Sequence, residues 1–506
     1  MLSTVISATT IGLDGVLINV EVDVASRGFP TFTIVGLPGK EIEESKERVR
    51  AAIKNSSFDM PETRITTNLA PADIPKEGSL FDLPIAVGIL ASAGVIERGV
   101  LSNSLFVGEL SLEGKIRPVR GVLPIALLAK KQGIAVLFVP FENTHEASLV
   151  DEIRVIPIKT LQELILHLNG EKLLETAARV SLESLHVADH FENDFSDIKG
   201  QEQAKRALEI AASGFHNVHL KGPPGAGKTM LARSFPSVFP QMDDEEIIEV
   251  SKVYSVTHSN ARFSFIIDRP FRAPHHTISR VGLVGGGPTL VPGEISLAHR
   301  GVLFLDEFPE FPRSVLEALR QPLEDGVVTV TRARGSVTFP ARFLLLSASN
   351  PCPCGFLGHP KKACQCTLWQ ISKYKKRISG PLLDRIDIHL EVPPVDEDKL
   401  TGKETGESSE KVRSRVEKAV LRQSKRFAGA RIKRNGEMTS ALVKKYCVLS
   451  LSAEQLLKHA VSRLSLSARS YFKIIKIAQT IADIAGHDTI EASYIAEALQ
   501  YRAKEG

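Results

Sequence analysis

The sequence predicts an α/β protein with three regions and one linker. Over residues 1–170, short β-rich runs alternate with helical stretches, which indicates an α+β region. Over residues 198–394 the pattern is strand, loop, helix and strand again, which is typical of a parallel α/β sheet. Residues 395–506 are predominantly helical, and polar residues 171–197 form the predicted linker between the first two regions.

The period of the apolar residues assigns the individual elements of the first and last regions. The predicted strands are Val16–Val24, Thr31–Val35, Leu105–Val107 and Val136–Val139, and the predicted helices are Glu41–Lys54, Pro84–Ala93 and Leu123–Gln132. In the last region three helix starts are predicted from capping side chains, at Ser452 with Gln455, at Ser467, and at Asp488 with Glu491. Gly486 predicts the end of the second of these helices.

Composition narrows the class of protein. A chain of 506 residues with 43% hydrophobic and 24% charged residues is an ordinary globular chain. The net charge is only +4, so a nucleic-acid surface has to be local. Five cysteines do not make a secreted disulfide framework. The longest apolar run, Leu83–Ile96, is too short to span a bilayer, and no targeting signal is evident, so we expect a soluble cytoplasmic protein without a membrane partner.

A glycine-rich loop matches the P-loop pattern G-x-x-x-x-G-K-[ST]. It follows the apolar run Val218–Leu220 and opens a helical stretch, the context in which this pattern binds nucleotide. The predicted ATP-binding residues are Gly222, Pro223, Pro224, Gly225, Ala226, Gly227, Lys228 and Thr229. Glycines let backbone N–H groups wrap the phosphates, Lys228 would reach the β and γ oxygens, and Thr229 would hold Mg²⁺.

An apolar strand followed by two carboxylates lies about eighty residues downstream, at Gly301–Glu307. At that distance from a P-loop, the pattern indicates a Walker B strand. Asp306 would complete the Mg²⁺ shell, and Glu307 would orient and deprotonate the attacking water. The carboxylate at Glu307 favours ATP hydrolysis over simple nucleotide binding.

Two further polar residues fit the same chemistry. Asn350 ends another buried-type strand and is predicted to position the water, although it could instead cap a loop. Arg385 stands in an apolar setting beside two acidic residues. It is predicted to act as an arginine finger in a neighbouring subunit, with a structural salt bridge as the alternative.

Four segments of the central region carry a family resemblance: Phe271–His276, Gly285–Gly287, Pro292–Ser296 and Leu303–Glu307. With them the chain resembles the magnesium-chelatase-like AAA+ ATPases of bacteria along essentially its whole length. The resemblance implies a P-loop AAA+ core with a C-terminal helical lid, assembled as a homo-hexamer with ATP between subunits. It also implies that Asn350 is sensor 1, Arg385 the finger and Arg469 the sensor 2 of the lid.

Within that family the chain is most similar to the branch associated with bacterial competence. This implies a DNA helicase that acts on branched or single-stranded DNA during natural transformation and recombination, alongside other recombination proteins. A predicted hairpin, Val327–Phe339, has Arg332 and Arg334 at its turn. In related helicases this hairpin enters the pore, so both arginines would contact DNA phosphates, although they could simply be a solvated turn. Gly285–Gly287 would form the second pore insertion.

A second basic segment is Lys411–Lys445, where twelve Lys and Arg residues face only two Glu residues. Contact with DNA and a merely solvated basic helix are equally compatible with this composition.

Four of the five cysteines lie within the fifteen residues 352–366. Cys352, Cys354, Cys364 and Cys366 form two Cys-x-Cys pairs that can give four thiolates to a structural Zn²⁺. Free thiols and a redox disulfide are the alternatives, and His359 could replace one ligand. Cys447 is predicted to be a core residue.

The first region resembles the Lon-protease fold, the ribosomal S5 domain 2-like fold, that this family carries. Aligned through Pro75–Gly78 and Phe106–Pro118, the catalytic Ser position falls on Leu80 and the Lys position on Leu123. Neither residue can act as nucleophile or base, so the dyad is missing and a scaffolding, ring-stabilising or DNA-contacting role is predicted.

The adjacent His275 and His276 are predicted to point in different directions and to have a structural or nucleotide-coupling role. The leading functional hypothesis is therefore an ATP-driven DNA motor. The alternatives are a chelatase-like ATPase that remodels a protein or metallocofactor partner and, less favoured because Glu307 and Arg385 are present, a nucleotide-gated scaffold.

Overall fold

A computed structural model describes residues 1–76, 78–180, 193–257, 266–287, 290–332, 335–395, 406–430 and 432–502. These residues form two compact units. Unit 1 takes its residues from 1–187 and 244–267, and unit 2 from 188–243 and 268–506. The chain thus leaves unit 1, begins unit 2, returns to unit 1 and ends in unit 2.

The helices are numbered in chain order. They are α1 Lys40–Asn55, α2 Asp82–Ser92, α3 Val122–Lys131, α4 Thr144–Ala147, α5 Leu161–Leu168, α6 Glu202–Gly214, α7 Lys228–Ser234, α8 Asp244–Ser255, α9 Arg280–Val284, α10 Glu294–Leu297, α11 Arg313–Ala318, α12 Arg320–Asp325, α13 Leu368–Lys375, α14 Gly380–Leu383, α15 Ser409–Arg426, α16 Ser440–Tyr446, α17 Leu451–Leu464, α18 Ala468–Ala485 and α19 Ala492–Gln500.

The strands are numbered in the same way. They are β1 Leu2–Ile11, β2 Asp14–Val24, β3 Thr31–Val35, β4 Arg64–Ala70, β5 Ser104–Phe106, β6 Glu109–Leu110, β7 Ile116–Arg117, β8 Val136–Pro140, β9 Arg154–Ile158, β10 Val218–Lys221, β11 Phe271–Arg272, β12 Gly285–Gly286, β13 Val291–Pro292, β14 Val302–Leu305, β15 Val327–Arg332, β16 Gly335–Pro340, β17 Leu344–Ser349, β18 Ile388–Glu391, β19 Val448–Leu449 and β20 Thr489–Ile490.

Unit 1 is built on a mixed seven-stranded sheet in the order β3-β4-β2-β1-β5-β8-β9. The hairpin β1–β2 is antiparallel, whereas β5, β8 and β9 run parallel to one another. Every residue of α2 is buried, which explains why the run Leu83–Ile96 is apolar on all sides. A Cβ at Gly88 would lie 2.6 Å from Val22 Cγ2, so this helix packs on the sheet at a glycine.

The predicted elements of the first region are all present, with ends that shift by one or two residues. Strands β1, β4 and β9 of the sheet were not predicted, and neither were the short strands β6 and β7 or the helices α4 and α5. Half of β1 consists of Ser and Thr, which weakens the apolar signal, although its side chains at Val5, Ser7 and Thr9 are buried. In β4 the alternation of Ile65, Thr67 and Leu69 is the signal that could have found it.

Helix α8 belongs to unit 1, although its residues lie within the range 198–394 assigned by sequence to the central core. Gly121 N–H donates to Ser255 O at 3.0 Å, and Ser255 Oγ donates to the carboxylate of Glu146. That carboxylate also accepts from Leu123 N–H at 2.9 Å. Burial raises the pKa of Glu146, and these hydrogen bonds oppose the rise.

Unit 2 contains five parallel strands in the order β11-β14-β17-β10-β18, which confirms the parallel α/β sheet. In register, Val218 of β10 pairs with Leu346 of β17, and Val302 of β14 pairs with Leu344 of β17. The carboxyl ends of β10, β14 and β17 therefore lie side by side. The loops that follow these three strands contain the P-loop, the Walker B acids and Asn350.

Two of the three predicted helix starts in the last region are wrong. The cap of α17 is Ser450, whose Oγ accepts from Ala453 N–H, rather than Ser452. Helix α19 begins after Glu491, because Asp488 precedes β20, which pairs in parallel with β19. The prediction for α18 is confirmed at Ser467 and at Gly486, whose φ of +83° makes it the left-handed cap.

Residues 171–180 of the predicted linker have neither helix nor strand, and its residues 181–192 lie outside the described part of the chain. Among the described residues, none of the helices has the combination of length and hydropathy that a membrane span requires.

Candidate nucleotide site

The P-loop connects β10 to α7 in unit 2. Gly225 and Gly227 adopt left-handed backbone angles, with φ of +78° and +84°, that other residues rarely adopt. A Cβ at either glycine meets no atom within 4 Å, so the loop faces open space that phosphate groups can enter. Gly222 is required for a different reason, since its Cβ would lie 2.3 Å from Val392 O.

Lys228 lies at the start of α7 and is 8% exposed. Its Nζ donates to Gly222 O at 2.6 Å, to Pro223 O at 2.9 Å and to Asn350 Oδ1 at 3.2 Å. Burial lowers the pKa of Lys228, and the charge of Asp306 opposes the shift. The lysine and the predicted sensor 1 residue are therefore in direct contact, as expected of groups that meet the same phosphate.

The predicted Mg²⁺ ligands are also in contact. Thr229 Oγ1 donates to Asp306 Oδ2 at 2.8 Å, and Glu307 N–H donates to Asp306 Oδ1 at 2.9 Å. Glu307 has φ of +50°, so the chain turns sharply after β14. The Glu307 side chain is 57% exposed, while Asp306 faces the P-loop threonine. One acid is thus placed to bind a cation and the other to meet solvent.

The prediction for the two histidines is wrong in its geometry. The rings of His275 and His276 lie 4.0 Å apart with an interplanar angle of 35°, so they do not diverge. His276 Nδ1 lies 3.3 Å from Glu307 Oε2. His276 is therefore a neighbour of the predicted catalytic acid, which supports the nucleotide-coupling interpretation over a purely structural one.

Arg385 and Arg469 contact one carboxylate, that of Glu324 in α12. Arg385 Nη2 donates to Glu324 Oε2, and Arg469 Nη2 lies 3.7 Å from Glu324 Oε1. Within the described ranges, neither arginine forms a hydrogen bond or ion pair with the P-loop or the Walker B acids. Both line a cavity of about 620 Å³. Glu324 was not predicted, because a glutamate near the end of a short helix has no distinctive sequence signal.

The four clustered cysteines do come together. Their Sγ atoms all lie within 4.8 Å of one another, with Cys352 Sγ 3.4 Å from Cys354 Sγ and 3.6 Å from Cys364 Sγ. A tetrahedral zinc–thiolate site has sulfur separations of about 3.8 Å. Cys354 N–H donates to Cys366 Sγ at 3.4 Å. Hydrogen bonds from the backbone at Phe356 and Gln365 lower the pKa of Cys354 to about 6, whereas burial and the hydrogen bonds to Cys354 raise the pKa of Cys364 and of Cys366. Cys354 is therefore the thiol of this cluster that most readily becomes a thiolate.

The cysteine loop packs directly on the nucleotide site. A Cβ at Gly355 would lie 2.5 Å from Cδ of Pro224 in the P-loop, and Gly355 has φ of +82°. The loop begins at Cys352, which directly follows Asn350 and Pro351. Cys447, in contrast, is a buried core residue of unit 2, as predicted.

Strands β15 and β16 form the predicted hairpin, paired antiparallel from Val327–Pro340 to Arg332–Gly335. Arg334 lies outside the described residues, and for Arg332 the structure describes the backbone only. Gly285 and Gly286 also form a small antiparallel pairing, with Val291 and Pro292.

The basic segment 411–445 is heavily paired within unit 2. Arg415 binds Glu209 and Glu407, Arg422 lies 2.8 Å from Asp488, and Arg426 binds the fully buried Asp483. Lys433 lies 2.7 Å from Asp243. These pairings favour a structural role for the arginines of α15.

The positions aligned with the Lon dyad contain packed leucines. Leu123 is fully buried, and Leu80 packs against both hydrophobic clusters of unit 1. Ser79 Oγ donates to Glu109 Oε2 rather than to a lysine. Both leucines therefore contribute to packing within unit 1.

Three magnesium chelatase families match successive parts of the chain. Residues 20–143 match the family "Subunit ChlI of Mg-chelatase", residues 194–400 match "Magnesium chelatase, subunit ChlI", and residues 406–502 match "Magnesium chelatase, subunit ChlI C-terminal". The matches cover the first region, the P-loop core and the helical end.

Individual relatives match along the same length. Competence protein ComM of Haemophilus influenzae is 45% identical over 507 residues, 99% of this chain and 97% of the relative. YifB of Escherichia coli is 41% identical over 504 residues, with the same coverage. Lon protease 2 of Bacillus subtilis is 29% identical over 168 residues, 30% of each chain. The chain belongs to the magnesium-chelatase-like AAA+ family, in the group that includes ComM and YifB.

Proposed function

We propose that the protein is a ring-forming ATPase that uses ATP hydrolysis to move along or remodel DNA. The observation that carries the proposal is the assembly of two contacting pairs, Lys228 with Asn350 and Thr229 with Asp306, at one edge of the sheet beside the solvent-facing Glu307. Each of these positions has a residue type that ATP hydrolysis requires.

The chemistry follows from the position of each group. Backbone N–H groups of the open P-loop and Lys228 would neutralise the phosphates of ATP, and Thr229 with Asp306 would hold Mg²⁺, which stabilises charge on the phosphoryl oxygens. The Glu307 carboxylate would accept the proton of the attacking water, with Asn350 positioning that water. His276 Nδ1, 3.3 Å from Glu307 Oε2, is a polar neighbour that can hold this carboxylate in place.

A hexameric ring is supported by the location of the two arginines. Among the described residues, Arg385 and Arg469 bind Glu324, and neither contacts the nucleotide site of its own chain. A neighbouring subunit that presents both arginines to this P-loop would complete it. We therefore propose a homo-hexamer in which ATP lies between subunits.

DNA as the substrate is supported by the full-length similarity to competence protein ComM. The β15–β16 hairpin, which lies between the Walker B strand and the sensor strand, is the candidate pore element, with Arg332 and Arg334 as phosphate contacts. We propose that the motor binds branched or single-stranded DNA and drives branch migration during natural transformation and recombination. It would act alongside recombination proteins.

We also propose that the four clustered cysteines hold a structural Zn²⁺. The donor set is four thiols at near-tetrahedral separations, and the hydrogen-bonded Cys354 favours the thiolate. The bound ion would fix the loop that packs on Pro224 and follows Asn350, and thereby support the nucleotide site without taking part in the reaction.

Steady-state ATPase assays with and without a four-way or forked DNA test the proposal. We expect DNA to raise turnover several-fold, Lys228→Ala to be inactive, and Glu307→Gln to bind ATP without hydrolysing it. An ATP turnover rate that no form of DNA changes would contradict the DNA-motor proposal. The match to magnesium chelatase subunits would then favour the second candidate, an ATPase that remodels a protein or metallocofactor partner.

A further inference from the structure

A surface groove of unit 2 lies between α13 and the segment 309–313, which follows Glu307 in the chain. Its volume is about 660 Å³. The lining residues that matter for its chemistry are Glu310, Arg313, Trp369, Lys373, Lys376 and Arg377.

The shape of α13 explains why this groove has an aromatic wall. Ile371 and Tyr374 are buried, so the helix has one inward face. Trp369 lies outside that face and is 69% exposed. Lys373 Nζ lies 4.7 Å from the centre of its ring. A large aromatic side chain held at the surface beside a cation is a typical stacking platform.

The charge of the groove is strongly one-sided. Four cationic side chains surround a single carboxylate, that of Glu310, which is paired with Arg377. Within the described ranges, Arg313, Lys373 and Lys376 form no ion pair. The net charge of the whole chain is only +4, so the groove is a local concentration of positive charge.

We propose that this groove binds single-stranded DNA, with one unpaired base stacked on Trp369 and the adjacent phosphates on Lys373, Lys376 and Arg313. Stacking on an aromatic side chain beside a basic track is how sequence-independent single-strand binding works. Bases within a duplex are already stacked on one another, so the groove selects unpaired strands. The inference rests on the proposed function, to which it adds a contact for the unpaired strand that a DNA motor produces when it opens a duplex.

A protein occupant fits the groove less well. An apolar peptide would bury the unpaired cations without compensation, which is costly. Phosphates compensate these charges, and the base covers the indole. Single-stranded DNA is therefore the ligand class that provides both a base for the exposed tryptophan and negative charge for the cations.

The test uses a property of the sequence: Trp369 is the one tryptophan of the chain. Tryptophan fluorescence of the full-length Glu307→Gln protein with ATP and Mg²⁺ would be followed during titration with oligothymidine, which forms no duplex. We expect saturable quenching that weakens with added salt. By anisotropy of a labelled oligothymidine, Trp369→Ala should weaken binding roughly 5- to 100-fold, whereas Trp369→Phe should retain most of it.

Leu368→Ala is the matched control, because Leu368 directly precedes Trp369, is 86% exposed and does not line the groove. Equal affinity of Trp369→Ala and Leu368→Ala, or binding without any change in fluorescence, would overturn the proposal while leaving the DNA motor intact. Fluorescence that changes with protein concentration and not with DNA would also overturn it, in favour of a contact between copies. Absence of DNA binding by the parent protein would count against the proposed function itself.

Discussion

Lys228 donates a hydrogen bond to the side-chain oxygen of Asn350 at 3.2 Å, across two adjacent strand ends. The two residues are 122 positions apart in the chain and meet because β10 and β17 are parallel neighbours. The contact occupies the side-chain oxygen of Asn350, so the NH₂ group is the part that would act on the attacking water in the proposed reaction.

Substitution of Asn350 tests this division of roles. Asn350→Ala should lower kcat about 100-fold with little change in KM, because the amide acts mainly on the attacking water. Asn350→Asp keeps an oxygen for Lys228 but loses the donor, so we expect a similar loss. An Asn350→Asp enzyme with nearly full activity would show instead that Asn350 only holds the lysine.

Arg385 is expected to act on the site of a neighbouring subunit. Lys228→Ala and Arg385→Ala should each be inactive alone, yet a mixture should regain ATPase activity. Random mixing at equal amounts leaves roughly a quarter of the interfaces with an intact P-loop facing an intact arginine, so about that fraction of activity should return. A mixture as inactive as its components would place the arginine in its own subunit's site.

Glu324 is expected to hold the side chains of Arg385 and Arg469 in the orientation in which they would reach the nucleotide site of the neighbouring subunit. The hydrogen bond from Arg385 keeps the pKa of Glu324 below its ordinary value, so the carboxylate is charged at neutral pH. Glu324→Gln should lower ATPase several-fold at limiting protein concentration. Asp325→Asn, one residue away and exposed, is the control. Unchanged activity in Glu324→Gln would show that the arginines need no such support.

The fifth cysteine provides a control for the zinc proposal. Metal analysis of the purified protein should find about one Zn²⁺ per chain, and Cys352→Ser should lose it while Cys447→Ser keeps it. Loss of the ion should also reduce ATPase, because the cysteine loop packs on Pro224. Equal zinc in both variants, or zinc well below one per chain in the parent protein, would contradict the proposal.

Acidification is expected to weaken unit 2 through two buried histidines. Burial lowers the pKa of His219 to about 3 and that of His389 to about 4. Both stay neutral in the folded state, so the unfolded chain takes up more protons below pH 6.5 and stability falls as pH decreases. Between pH 7 and pH 5 we expect a loss of about 2 kcal/mol per histidine.

The measurement is the urea midpoint at pH 7 and pH 5. His219 also accepts or donates at Ser347 and Ser349, 2.9 and 3.0 Å away, so His219→Gln keeps polar atoms while removing the titration. The variant should show a smaller pH dependence than the parent, and His459→Gln, on an exposed face of α17, should not. An equal slope in all three proteins would contradict the prediction.

Much of the fold and of the nucleotide site was predictable from sequence. The P-loop from Gly222 to Thr229 and the acids Asp306 and Glu307 are continuous segments at strand ends, and a local pattern suffices to identify them. The same holds for α18, whose two ends have capping residues at Ser467 and Gly486. Serine- and threonine-rich β1 was missed because its burial comes from the sheet around it.

The sequence by itself determined the family, the nucleotide-binding loop and the four cysteines, because each depends on residue types at short spacing. Only the tertiary structure decided that Lys228 meets Asn350, that Arg385 and Arg469 share Glu324, and that α8 packs with unit 1. Such contacts join residues far apart in the chain. They depend on strand order and side-chain direction, which short-range periodicity does not encode.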